Sequence, residues 1–146
     1  MKNILLYLAD DDKEDRELFL EALKDIPIDT EVQQFENGID LMDKLFAAEK
    51  LPDVIFLDLY MPIMDGFACL TDIRSFAKFS SIQIVVYSSV YRNREVRQLK
   101  EDGANQYLQK PPSYNQLKTL LYKSLSSVQD GIQETNTSKT EFLSLV

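Results

Sequence analysis

Short apolar runs alternate with amphipathic stretches along the chain. Ile4–Ala9 is continuously apolar, Val54–Leu57 and Ile84–Tyr87 are compact and rich in β-branched residues, and Val32–Phe35 and Tyr107–Leu108 are shorter and weaker. Between them, apolar residues recur at the three-to-four spacing of a helix: Leu18, Phe19, Ala22, Leu23 and Ile26; Leu41, Met42, Leu45 and Phe46; Phe67, Leu70 and Ile73; Leu117, Leu120, Leu121 and Leu125. Strands that are apolar throughout must be covered on both faces, so the alternation predicts an α/β fold, a doubly wound sheet of five parallel strands.

One predicted helix stands apart. Residues 91–102 offer only Val96 and Leu99 as apolar anchors among Arg92, Arg94, Arg97 and Lys100, which predicts shallow docking and a more mobile element. From Ser126 the chain turns to Ser, Thr, Gln and Asn around Gly131, and residues 127–146 are read as a Ser/Thr-rich, disordered tail beyond a single domain spanning 1–126. The closing Phe142–Val146 is apolar enough to dock, with a frayed end as the plainer expectation.

Composition narrows the chemistry. The 16 basic and 24 acidic residues leave a net charge of −8, which argues against direct binding to nucleic acid or to an anionic membrane surface. No apolar run approaches the roughly 18 residues of a membrane span, and the apolar start breaks into three aspartates with no cleavage signal, so the expected compartment is the cytoplasm. With no histidine and a single cysteine, Cys69, the chain has no internal disulfide, no Ser–His–Asp or Cys–His triad and no histidine-ligated zinc. Cys69 lies at helical spacing among Phe67, Leu70 and Ile73 and reads as a small core residue.

The polar residues with chemical promise fall at strand ends. Asp10 and Asp11 end the first strand, Asp58 the third and Ser88 the fourth, and Lys110 follows the fifth. The carboxyl ends of parallel strands share one edge, so these residues should meet in one crevice. Two carboxylates about 4 Å apart repel by roughly 4 kcal/mol at an effective dielectric of 20. A divalent cation relieves that repulsion, and an all-oxygen donor set suits Mg²⁺ or Mn²⁺. An aspartate beside such an ion can attack a phosphoryl group, with a lysine and a hydroxyl stabilising its oxygens. Singly, each residue also has a plainer reading: Asp12 as a helix cap, Ser88 as a strand-end hydroxyl, Lys110-Pro111-Pro112 as a turn.

Taken together, Ala9-Asp10-Asp11-Asp12, Leu57-Asp58-Leu59-Tyr60-Met61-Pro62 with Met64-Asp65-Gly66, Tyr87-Ser88-Ser89 and Tyr107-Leu108-Gln109-Lys110-Pro111 resemble, in order and spacing, the receiver domains of bacterial two-component response regulators, over roughly residues 2–126. The resemblance implies the flavodoxin-like strand order 2-1-3-4-5. It also implies Asp58 as phospho-acceptor and a Mg²⁺ site (Mn²⁺ being an alternative) formed by Asp11, by Asp10 through water, by Asp58 and by the backbone carbonyl of Tyr60. Ser88 and Lys110 would contact the phosphoryl group, the Lys110–Pro111 bond would be cis, and Ser88 and Tyr107 would form a conformational switch. The implied partners are a sensor histidine kinase or histidine phosphotransfer protein as donor, and an unidentified output protein or a second copy at the switch face. Such a domain catalyses only its own phosphorylation and dephosphorylation. Two positions depart from the commoner pattern: bulky Tyr60 and apolar Val90 flank the water route to the acyl phosphate and imply slow autodephosphorylation. A phosphatase of the haloacid-dehalogenase type would need a second acid where Tyr60 stands, and an unphosphorylated scaffold would not need the full acidic set.

Overall fold

The computed structural model describes residues 3–133 and 142–145. The strands are β1 (Ile4–Ala9), β2 (Thr30–Phe35), β3 (Val54–Leu57), β4 (Gln83–Ser88), β5 (Gln106–Gln109) and β6 (Leu143–Leu145). The helices are α1 (Lys13–Lys24), α2 (Gly38–Ala47), α3 (Gly66–Arg74), α4 (Asn93–Glu101) and α5 (Tyr114–Gln133). All pairings are parallel, in the order β2-β1-β3-β4-β5-β6. The expected order 2-1-3-4-5 is present, extended by one strand.

The alternation of side chains along each strand builds two cores. Ile4, Leu6 and Leu8 pack with Val54, Phe56 and Val85 under α1 and α5; Leu5, Tyr7 and Ala9 pack with Ile55, Leu57, Ile84 and Val86 under α2, α3 and α4. Complete burial of β1, β3 and β4 explains the unbroken apolar runs Ile4–Ala9, Val54–Leu57 and Ile84–Tyr87. Cys69 is buried in the second of these cores, as its spacing predicts. The α4 helix buries only Val96 and Leu99, the thin stripe read from the sequence.

Helix starts are set by local chemistry. Asp12, Asn37 and Asp65 each accept from the backbone N–H three residues on, at 2.8–3.1 Å, and so cap α1, α2 and α3. Two of these caps seat the loops that carry Asp10, Asp11 and Asp58.

The predicted domain end at residue 126 and the disordered tail after it need correction. The last helix runs on to Gln133, with Val128 fully buried and Ile132 packed on the α1–α5 core. Leu121, Leu125, Val128 and Ile132 continue one stripe beneath a polar surface that reads as a tail. Buried Gln83 donates to the Val128 carbonyl at 3.1 Å, and Gln106 and Ser124 exchange hydrogen bonds of 3.1 and 2.6 Å, tying this helix to β4 and β5. Leu143–Leu145 forms a strand in place of a frayed end. The remainder of the predicted tail, residues 134–141 and 146, lies outside the described residues.

Arg74 closes the far end of the fold. Its guanidinium donates to the carbonyls of Gly103, Phe79 and Ile82 at 2.9, 3.2 and 2.8 Å and to the Asn105 amide oxygen at 3.0 Å. Gly103 has φ +108°, and a Cβ there would lie 2.9 Å from the Arg74 side chain. Arg74→Ala leaves several carbonyls without a donor and is expected to cost about 2–4 kcal/mol in urea unfolding. Exposed Arg94→Ala should stay within about 0.5 kcal/mol of the wild type.

Candidate functional site

The site follows from strand register. Ala9 lies opposite Leu57, so Asp10 and Asp58 leave the sheet on the same rung. The ladder continues one step past the strands: Asp58 N–H donates to the Ala9 carbonyl at 2.9 Å, Asp10 N–H to Phe35 at 3.0 Å and Lys110 N–H to Ser88 at 2.8 Å. Residues a hundred positions apart are thereby fixed at one carboxyl edge.

Asp10, Asp11 and Asp58 each present a carboxylate oxygen within 4.8 Å of the others, with Asp10 and Asp58 buried and Asp11 exposed. The donor set is all oxygen, as a hard divalent cation requires. The Lys110 ammonium reaches in from β5, 2.9 Å from Asp10 Oδ2 and 3.2 Å from Asp58 Oδ2. It also lies 5.3 Å from the centre of the Tyr87 ring.

Burial drives the electrostatics. Asp58 is 8 % exposed, and its carboxyl is pushed from 3.8 up to about 6, chiefly by desolvation; Lys110 opposes the rise and the charge of Asp10 adds to it. Burial works against the Lys110 ammonium, yet its pKa is raised, because hydrogen bonds to Asp10 and Asp15 and the charge of Asp58 outweigh that cost. The Asp58 carboxylate thus rests in an environment that disfavours its charge.

The loop after β3 is tightly built. Gly66 N–H donates to the Leu59 carbonyl at 2.9 Å, and a Cβ on Gly66 would stand 2.3 Å from the Asp58 carbonyl oxygen, so only glycine fits behind Asp58. Ile63, 80 % exposed, has φ 70°, a strained value for a β-branched residue. Tyr60 N–H lies 3.4 Å from Asp58 Oδ1, and its ring turns outward, where the hydroxyl meets Glu95 at 3.4 Å and Arg92 at 3.2 Å on the α4 side.

Ser88 is fully buried at the end of β4, and its Oγ accepts from Val90 N–H at 3.3 Å. Tyr107 already sits inward: it is fully buried, its hydroxyl donates to the Val90 carbonyl, and its ring packs edge-on against Tyr91 with centroids 5.6 Å apart. The Lys110–Pro111 bond is trans, not the cis form the resemblance implied. Trans is the isomer that X–Pro bonds favour by about 0.5–1 kcal/mol.

Two residues at the site escaped sequence reasoning. Asp15, in the first turn of α1, sits 2.9 Å from the Lys110 ammonium. Buried Arg16 donates to the Asp10 carbonyl at 2.7 Å and reaches Gln34 and Glu36 on the β2 side. Within Lys13-Glu14-Asp15-Arg16-Glu17 both look like solvated helix charges; the faint signal was that Arg16 shares the face of Phe19 and Leu23.

The raised Asp58 carboxyl has a thermodynamic consequence. Between pH 3.8 and about 6 the folded state keeps a proton that the unfolded state has shed, so stability falls as pH rises through this window. In metal-free buffer Asp58→Asn should be more stable than wild type above pH 7 by about 1–3 kcal/mol, with parity below about pH 4. Equal unfolding midpoints at neutral pH would contradict this.

Comparison with known proteins bears on the same residues. The family model for the response regulator receiver domain matches residues 6–122. The chain is 28 % identical over 121 residues to the sensor histidine kinase CheAY of Helicobacter pylori, covering 83 % of this chain and 15 % of that one. It is 27 % identical over 136 residues to the transcriptional regulator NtrC of Escherichia coli, covering 93 % of this chain and 28 % of the regulator. The chain thus spans less than a third of each of these two relatives. A match to the chemotaxis protein CheY of Halobacterium salinarum, 28 % identical, covers 73 % of this chain and 83 % of that protein. Among solved structures, the Mn²⁺-bound form of the response regulator Rcp1 superposes with TM-score 0.76 at 27 % identity, covering 84 % of this chain and 92 % of that one. The phosphorylated cyanobacterial phytochrome response regulator RcpA gives TM-score 0.76 at 27 % identity, with coverage of 94 % and 98 %.

Proposed function

The chain belongs to the response regulator receiver domain family, a family of phosphoryl-accepting signalling domains, and from this premise we propose that Asp58 accepts the phosphoryl group. The observation that carries the assignment is the gathering of Asp10, Asp11 and Asp58 within 4.8 Å, with the Lys110 ammonium 3.2 Å from Asp58. We assign Mg²⁺ to this cluster: Asp11, Asp58 and the Tyr60 carbonyl would hold it, with Asp10 acting through water, and it would neutralise the phosphoryl oxygens and the crowded carboxylates.

In the proposed reaction an Asp58 carboxylate oxygen forms a bond to phosphorus in line with the breaking P–N bond of a donor phosphohistidine. The electron pair of that bond returns to the imidazole nitrogen, which takes up a proton. These 146 residues hold no histidine, so the phosphohistidine lies outside them, and we read the donor as a sensor histidine kinase or a histidine phosphotransfer protein. Lys110 needs little displacement to pair with a phosphoryl oxygen on Asp58. The Ser88 hydroxyl, which accepts from Val90 N–H, keeps its own proton for another phosphoryl oxygen.

The contacts of Ser88 give the switch a physical route. Movement of Ser88 towards Asp58 displaces Val90, whose carbonyl holds the Tyr107 hydroxyl, so the aromatic residue and the start of α4 shift together. Phosphorylation biases this equilibrium by the contacts it adds. The output is contact with another protein at the α4–β5–α5 face. Among the described residues no helix is long and apolar enough to cross a membrane.

Incubation with Mg²⁺ and a small acyl phosphate should add one phosphoryl group to the intact mass, and Asp58→Asn should add none. A phosphorylated Asp58→Asn protein would refute the assignment. Lys110→Ala should still bind Mg²⁺ yet lack the hydrogen-exchange change in residues 88–101 that phosphorylation produces in the wild type. Tyr60 stands two residues after Asp58 and Val90 two after Ser88; on the reading that both narrow the water route to the acyl phosphate, the phosphoryl group should be lost slowly, and Tyr60→Asn should shorten its lifetime several-fold by mass-resolved decay.

A further inference from the structure

The β5 side of the sheet holds a strand that the rest of the fold does not need for closure. Leu143–Leu145 lies parallel to β5, with Gln106 opposite Leu143, Tyr107 opposite Ser144 and Leu108 opposite Leu145. Phe142 packs on the core beneath α4, and the Lys100 ammonium lies 5.8 Å from its ring centre. Leu145 packs on the opposite core and, with Pro112, Leu120 and Lys123, lines a groove of about 520 Å³ beside α5. One short segment therefore touches α4, β5 and α5 at once, in register with Tyr107.

The hold is of a kind that can be released. The strands β1, β3 and β4 run four to six residues and are wholly buried. Here three rungs suffice, Ser144 is exposed, and Phe142 and Leu145 are only half-buried. Stripped of this segment, β5 would present an unpaired edge, which is a template for strand addition. Nothing in the contact is peculiar to the tail. An aromatic residue at the first position, an aliphatic one at the fourth and a parallel backbone between them would fit equally well, and Lys100 and Lys123 favour acidic flanks.

We infer that the outer edge of β5 is a strand-acceptor site whose resident occupant is the chain's own Phe142–Leu145 segment, seated reversibly, so that an output partner using this edge must offer a parallel extended segment of the same pattern and displace it. The site is self-masked, and the masking strand lies on the strand that carries Tyr107 and leads to Lys110.

The test uses the full chain without any phosphodonor, so its failure leaves the Asp58 assignment untouched. The Phe142→Asp/Leu145→Asp double variant should exchange the amides of Gln106–Leu108 at least tenfold faster than wild type. A fluorescent peptide with the sequence of residues 138–146 should bind that variant at least tenfold more tightly than it binds wild type. Should circular dichroism show the double variant unfolded, Ser144→Pro, which places a proline at the exposed centre of the three-residue strand, takes its place in both measurements. Unchanged β5 exchange together with equal peptide affinity would overturn the inference. So would a wild-type dimer that these substitutions dissolve, since the strand would then come from a second copy.

Discussion

The carboxyl edge of the sheet concentrates negative charge where water is scarce. Asp10 and Asp58 are 1 % and 8 % exposed, Asp11 stands beside them, and one ammonium, Lys110, offsets their repulsion. Buried like charges are tolerated only with a cation among them. The parallel register puts Asp10 and Asp58 on one rung, α1 is capped by Asp12 directly after the acidic pair, and Gly66 leaves room for the backbone of Asp58. The architecture thus serves to hold an arrangement of like charges whose repulsion a divalent cation would relieve.

That same edge is mechanically connected to one side of the molecule. Ser88, Val90 and Tyr107 are joined by hydrogen bonds, and the Tyr60 hydroxyl reaches Arg92 and Glu95 from the loop after β3. The first runs through the loop that leads into α4 and the second reaches Glu95 on α4 itself, a helix that buries only Val96 and Leu99. A helix so lightly docked can shift at small cost, whereas the fully buried strands beside it cannot. On the far side of Tyr107 lies β6, so chemistry at the edge and occupancy of the outer face bear on the same strand.

The reasons that some features were legible and others not are physical. Five strands and five helices were readable because burial of one face imposes a period on the chain, and Asp10, Asp11, Asp58, Ser88 and Lys110 were readable because parallel strands end on one edge. The role of Asp15 at Lys110 was not, since its contact spans 95 positions and depends on where α1 packs. Nor was Arg74, whose carbonyl partners come from two separate loops.

By itself, then, the sequence determined the element order, the apolar faces and the acids that converge, because each is written in local spacing or follows from parallel topology. Tertiary structure alone decided the reach of α5 to Gln133, the seating of Leu143–Leu145 on β5, the inward Tyr107 and the trans Lys110–Pro111 bond. In each of these the deciding contact comes from a distant segment. Local periodicity records that a side chain is buried, but not which partner it meets.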